Sequence, residues 1–358
     1  MSLKPSAMLL PNGLVDFLPP QAELEAATIE TFMRDFSAFG YARVKPPLVE
    51  FEESLLAEGP GQALSRKTFR LMDPLSQRMM GVRADMTSQI ARIANSRLGA
   101  EDRPLRLSYA GDVLRVNGTQ LRPERQFCQV GCELIGEDSQ QADIEVALIA
   151  IKALSGANIK ALSIDLTVPT LIENIYIETG ASEDERAVLD DLIEKRDEDA
   201  LANEKGNAAK LIAQLTGVEG TADRASITLS AINLPAKAAA DIEKLLAVAK
   251  GLREALSVYG LDDVQITIDP LERRGFEYQT GSSFTLFAKG ARGELGRGGR
   301  YNVSQTGETA TGFTLYMDSI LRVVPAKEGA KQAQESAISG WGAIKSLQDK
   351  GFSVLRKD

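Results

Sequence analysis

Within RQFCQVGCELIG, residues 125–136, an amide and a carboxylate recur two pleats apart. Read as a strand, the segment puts Cys128, Val130, Cys132 and Leu134 on one face and Phe127, Gln129, Gly131 and Glu133 on the other. A buried Glu133 without a partner is costly, so it calls for a cationic or hydrogen-bonding ligand, or for a structural partner such as a neighbouring arginine. The intervening glycine lets another group approach the backbone. Two further clusters carry candidate chemistry. In GVRADMTSQIAR (81–92), Arg83, Asp85 and Thr87 stand at a strand-to-helix junction, where Asp and Thr also serve as ordinary N-caps. LERRGFEYQTG (271–281) and GRGGRYN (296–302) combine Arg274 and Tyr278 with a glycine-rich loop. Such loops cradle phosphates, but this one lacks the lysine and spacing of a P-loop.

The elements that must position these groups follow from periodicity. Ile29, Phe32, Met33 and Phe36 mark an amphipathic helix over 21–39, with Gly40 as its stop. A short strand at 41–45 ends at Pro46-Pro47, and 66–72 with 78–83 forms a hairpin about Asp73-Pro74. Helix is expected at 87–97, strands at 105–109 and 112–116, and helix again at 143–154. From about 167 to 259 the chain is helical and rich in alanine and charge, with SEDER (182–186) as a solvated helix start. Strands resume at 264–268 and 276–288, and 311–324 closes the body with a strand and a helix. Short connections between strands predict an α+β fold, a mainly antiparallel sheet with helices on one side. The expected organisation is a core of 1–167 and 260–324, a helical insertion at 168–259 and a short extension at 325–358.

Composition narrows the chemistry. The 358 residues are 44% hydrophobic and 25% charged, the balance of a globular protein. No stretch approaches a membrane span, and the start holds no secretory segment, so a cytoplasmic location is expected. Two cysteines are no disulfide framework, and Cys128 and Cys132 read as small core residues with no metal between them. The chain has no histidine, which removes every mechanism that needs an imidazole base. A net charge of −9 disfavours nucleic acid as a partner.

The order of the motifs says more than any one of them. FGYARVKPPLVE (39–50) resembles the first motif of class II aminoacyl-tRNA synthetases, and LSYAGDVLR with RQFCQVGCELIG resembles the second. RRGFEYQTG and GRGGRYN resemble the two histidine-site signatures of histidyl-tRNA synthetase, and TGFTLYMDSILRVV the third class II motif. The resemblance to that family runs from about residue 11 to 324. It implies a class II synthetase-like antiparallel sheet and an amino-acid pocket. Asp85 and Thr87 match residues that hold the ligand's ammonium group in that family. Arg115 and Gln129 match those near its carboxylate, and Glu133, Arg274 and Tyr278 line the rest, including the imidazole end. An amino acid needs such a set: anions at one end, a cation at the other, and an acceptor for a ring N–H.

The departures from the family bear on activity. The acidic residue two places after Arg115 is Asn117, the usual charged loop is NGTQLRPE (117–124), and the motif-three arginine falls at Ser319. Gln279 stands where the family has a pocket tyrosine, and no full anticodon-binding domain follows. Losing one preorganised transition-state contact costs roughly 10²- to 10³-fold in rate, so adenylate formation is not expected. In these respects the chain is similar to a paralogous family, the regulatory subunits of ATP phosphoribosyltransferase. That resemblance implies a non-catalytic homodimer without cofactor, docked on short-form catalytic subunits in histidine biosynthesis, with histidine as effector and no tRNA partner. The alternative it leaves is a truncated synthetase-like enzyme that forms histidyl-adenylate.

Overall fold

The computed structural model describes residues 9–326, apart from 58, 59, 120, 121, 274, 277, 304 and 305, together with 332–333 and 341–354. The chain divides into two compact units, Met1–Val324 and Pro325–Asp358.

The first unit opens with α1 (Gln21–Ala38), whose Phe32, Met33 and Phe36 are buried as the helical spacing predicts. Then come β1 (Ala42–Arg43), β2 (Val49–Phe51), α2 (Glu52–Leu55), β3 (Phe69–Met72), β4 (Met79–Val82) and α3 (Thr87–Asn95). Strands β3 and β4 form the expected hairpin, with β2 on its other edge. The two strands expected at 105–116 are one, β5 (Leu105–Leu114). All ten of its residues pair with β6 (Gln126–Ile135), so Gly111 interrupts nothing. Helix α4 (Gln140–Gly156) starts earlier than its apolar run, because the Ser139 hydroxyl accepts from the Ala142 N–H at 3.3 Å and caps it.

After β7 (Leu162–Thr167) the chain builds α5 (Thr170–Thr179), α6 (Glu183–Lys195), α7 (Glu198–Asn203) and α8 (Asn207–Leu215). It continues through β8 (Gly220–Thr221), α9 (Ala222–Ala231) and α10 (Ala236–Val258). SEDER opens α6 through a capping box in which Ser182 and Glu185 exchange hydrogen bonds. Strands β9 (Gln265–Ile268), β10 (Gln279–Ala288), β11 (Gly296–Asn302) and β12 (Thr309–Tyr316) and the short α11 (Met317–Ile320) complete the unit. The stretch 296–302, expected as a glycine-rich loop, is thus a central strand. In the second unit, β13 (Gln332–Ala333) pairs in parallel with β14 (Ser353–Val354), beside α12 (Trp341–Asp349).

One sheet organises the first unit, in the order β1-β5-β6-β12-β11-β10-β7-β9-β8. Only the β1–β5 and β7–β9 pairs are parallel. The inward face of β6, with Cys128, Val130, Cys132 and Leu134, packs in the main core with α1, α4 and α10. Burial pushes the Cys128 thiol up to about 12, so it is an inert core group. The expectation of helices on one side needs correction. Helix α3 lies over the opposite face, where Met86, Ile90 and Ala94 share a second core with Tyr109, Phe127, Tyr301 and Tyr316. That second face carries the candidate site.

Candidate functional site

Strand β6 is buried on both faces, so Glu133 is a carboxylate placed inside the protein, 1% exposed. The Tyr301 hydroxyl donates to its Oε2 at 2.9 Å, and the Tyr109 hydroxyl lies 3.4 Å from its Oε1. Its structural partners are therefore hydroxyls and not the arginine weighed from sequence. Burial pushes Glu133 up to about 8, although hydrogen bonds from Tyr301, Thr87 and Tyr109 pull the other way. A carboxyl group with that value is mostly protonated at neutral pH and becomes the anion when a cation arrives.

Two glycines make this placement feasible. Opposite Glu133 on β12, a Cβ at Gly312 would stand 1.8 Å from Glu133 Oε2. Gly131 has a different use from the one its position suggested. A Cβ there would meet Phe313 O at 2.2 Å and Tyr109 Oη at 2.5 Å. The group that approaches the backbone at Gly131 is Tyr109 from the facing strand, not a ligand.

A cavity of about 490 Å³ opens above this face. Asp85, Thr87, Arg115, Glu133 and Tyr278, five of the seven residues singled out in the sequence, line it. Asp85 and Thr87 come from the β4–α3 turn, where the Thr87 N–H donates to Asp85 Oδ1 at 2.9 Å. Asp85 is not the N-cap of α3: Met86 holds that position, and Asp85, one residue earlier, closes a local turn with one oxygen. Arg115 is held by its Nε donating to Ala84 O at 3.1 Å, and its guanidinium lies 3.9 Å from Asp85 Oδ2. Arg83, from the same cluster, is structural: it donates to Asp112 O at 2.6 Å and Pro46 O at 3.1 Å.

Gln129 is placed differently from expectation. It is fully buried behind the wall, not in it: Nε2 donates to Asp85 Oδ2 at 2.7 Å, and Oε1 accepts from the Met86 N–H at 3.0 Å. The β4–α3 turn folds over this end of β6 and takes both ends of the amide. Gln129 orients Asp85 and is not among the residues that line the cavity. Gln129→Leu should cost about 1–3 kcal/mol in urea unfolding, since it leaves the Met86 N–H unpaired. Arg274 lies outside the described residues.

Residues outside the sequence motifs' expected site also line the cavity. Tyr301 shares one side of β11 with Arg297, and the period-2 pattern of GRGGRYN would have paired them had it been read as a strand. Arg300, on the other side, ties down the start of α4 through Asp143 and Asp138. Arg122 donates to Glu294 Oε1 at 2.8 Å and lies 3.8 Å from the centroid of the Tyr316 ring. Arg297 donates to Glu294 Oε2 at 3.0 Å. The cleft is therefore less poor in cations than the motif comparison implied: Lys67, Arg115, Arg122 and Arg297 all line it. Two of the four share the charge of Glu294. Tyr316, packed edge-on against Phe127, and the Arg122–Glu294 pair wall one side of the space. Ser319 is buried beyond Tyr316 and is not among the lining residues.

This sheet and its cavity define a class II synthetase-like protein, and comparison with known proteins agrees. The family model described as histidyl-tRNA synthetase matches residues 13–320. A regulatory subunit of ATP phosphoribosyltransferase from Rhodospirillum centenum is 53% identical over 99% of this chain and 90% of its own length. Among solved structures, an ATP phosphoribosyltransferase regulatory subunit/histidyl-tRNA synthetase from Bacillus halodurans covers 100% of this chain and 94% of its own, with TM-score 0.80 at 22% identity. A chain of an ATP phosphoribosyl transferase complex from Thermotoga maritima covers 84% of this chain and 98% of its own, with TM-score 0.62 at 18% identity. The two structures establish the likeness of fold. The chain belongs to the family of ATP phosphoribosyltransferase regulatory subunits, within the wider histidyl-tRNA synthetase group.

Proposed function

We propose that this chain is a non-catalytic subunit that activates a short-form ATP phosphoribosyltransferase, and that its cavity takes histidine as a feedback effector. One observation carries the reading. Asp85, Thr87, Arg115, Glu133 and Tyr278 line a single cavity, a set suited to a free amino acid, while Arg122 on the same wall is already paired with Glu294. A nucleotide's phosphates would have to break that pair. In this reading Asp85 meets the ammonium group, Arg115 the carboxylate, and Glu133 a ring nitrogen. A chain without histidine can be translated when histidine is scarce, which suits a regulator of its synthesis. The subunit works as a cytoplasmic homodimer joined through the 39–50 region, without tRNA. Among the described residues no helix is long and apolar enough to cross a membrane.

Co-expression with a short-form catalytic subunit tests activation: the joining of ATP to phosphoribosyl pyrophosphate should rise several-fold or more when this chain is present. Titration calorimetry tests the effector role, because linkage is reciprocal. Histidine must bind the subunit alone and the complex with different affinities. Equal affinities would remove feedback from this cavity and leave activation standing. The four cations of the cleft favour a second reading, residual formation of histidyl-adenylate. Histidine-dependent pyrophosphate exchange by the isolated chain would establish it.

A further inference from the structure

We propose that the helical segment between β7 and β9 positions the ligand-facing wall of the main cavity, with Arg196 and Arg273 as the positioning residues. The inference rests on reading that cavity as an amino-acid site. The connection from β9 to β10 stands between two spaces. On one side Gly275 and Tyr278 of the connection, with Gln279 at the start of β10, line the main cavity. On the other a second cavity, about 510 Å³, is lined by Leu271, Glu272, Arg273 and Phe276 of the connection and by α5 and α6 across from it. Gln279 lines both, so the connection is a partition between them.

The outer side of this partition is fastened to α6. Arg196, the residue that ends α6, pairs with Asp269 and lies 3.4 Å from both Glu272 and Glu219. Arg196 takes a left-handed conformation, φ 54°, which turns its side chain off the helix end without a glycine. Arg273 pairs with Asp190 of α6, and Asp190 also accepts from the Tyr176 hydroxyl of α5 at 2.9 Å. The inner side touches the site. The Tyr278 ring packs edge-on against Tyr301, centroids 5.7 Å apart, and Tyr301 donates to Glu133. Arg297 of β11, which also lines the main cavity, packs against the connection, 5.3 Å from the Phe276 ring centroid.

The partition is thus held from outside by ion pairs and faces the ligand on its inside. A ligand that draws Tyr278 and Tyr301 into one arrangement selects the arrangement of the β9–β10 connection. Through Arg273 and Arg196 it selects the seat of α6 as well. By reciprocity, anything that grips α6 alters affinity in the main cavity. The ion pairs are half-exposed and individually weak, but they converge on one short connection, and a network outweighs isolated pairs.

Hydrogen exchange of full-length protein with and without L-histidine provides the test, alongside calorimetry. In the wild type, histidine should slow exchange in Glu183–Lys195, although no residue of α6 lines the main cavity. The variant carrying Arg196→Ala and Arg273→Ala should bind histidine roughly 2- to 30-fold more weakly and show no such protection. Arg196→Lys with Arg273→Lys, which keeps the charges, should recover much of both. Histidine binding to the wild type with unchanged α6 exchange overturns this inference and leaves the pocket reading intact. So does wild-type affinity in the alanine variant. No binding to the wild type overturns both. Should the alanine variant fail to fold, the wild-type exchange and the lysine variant still decide.

Discussion

Glu133→Ala is expected to abolish measurable histidine binding, and Glu133→Gln to weaken it about 10- to 100-fold. The carboxyl lies beneath the Tyr278 and Tyr301 end of the cavity, and Tyr301 already aims it. A hydrogen bond to a charged group contributes ~1.5–3 kcal/mol, and each 1.4 kcal/mol is about tenfold in affinity. Unchanged calorimetric affinity in Glu133→Ala would place the effector elsewhere.

The same residue imposes a pH dependence on the empty protein. Burial raises Glu133 from an ordinary value of 4.5 to about 8 in the folded state. Between those values the folded protein holds a proton that the unfolded chain has released. The stability this proton contributes is complete below 4.5 and is lost as pH rises through 8. Urea unfolding across that window should therefore show the wild type losing about 1.4 kcal/mol per pH unit relative to Glu133→Gln. A parallel pair of curves would contradict the assignment. An imidazolium ligand reverses the preference by stabilising the anion: near neutral pH the carboxyl's proton passes to the mostly neutral ring with little net release, whereas below about pH 6, where the ligand arrives protonated, binding should release close to one proton. Calorimetry in buffers of different ionisation enthalpy detects that release.

Gly131→Ala has the largest expected effect on the fold. Its new methyl would stand 2.2 Å from a main-chain oxygen of β12 and 2.5 Å from a buried phenol, and neither neighbour is a flexible side-chain end. Overpacking of this kind costs about 1–3 kcal/mol, with more where backbone must move. A drop of several degrees in melting temperature is expected, with histidine binding lost as Tyr109 and Glu133 shift. Tyr109→Phe should not rescue the variant, because the Phe313 oxygen remains. A stable Gly131→Ala protein would show that β6 and β12 are not packed as described.

Local pattern made much of this protein legible. The 3.6-residue spacing of Phe32, Met33 and Phe36 placed α1, and alternation placed both faces of β6, because each depends only on neighbours along the chain. The ordered motifs brought Asp85, Thr87, Arg115, Glu133 and Tyr278 to attention, and all five line one cavity. Residue type also indicated that Glu133 needed a partner.

What escaped the linear reading depends on pairs that meet only across the sheet. Arg122 finds Glu294 across 172 positions, and Glu133 finds Tyr301 across 168. Gln129 turned from a wall residue into a brace because the β4–α3 turn folds over it, 44 positions away. Gly131 is required by the phenol of Tyr109, and the glycine-rich 296–302 is a strand because β10 and β12 flank it. Alternation and helical spacing record which face of an element is buried. They do not record which distant side chain, donor or ring will cover that face, because cross-strand register brings those groups together only when the sheet is assembled.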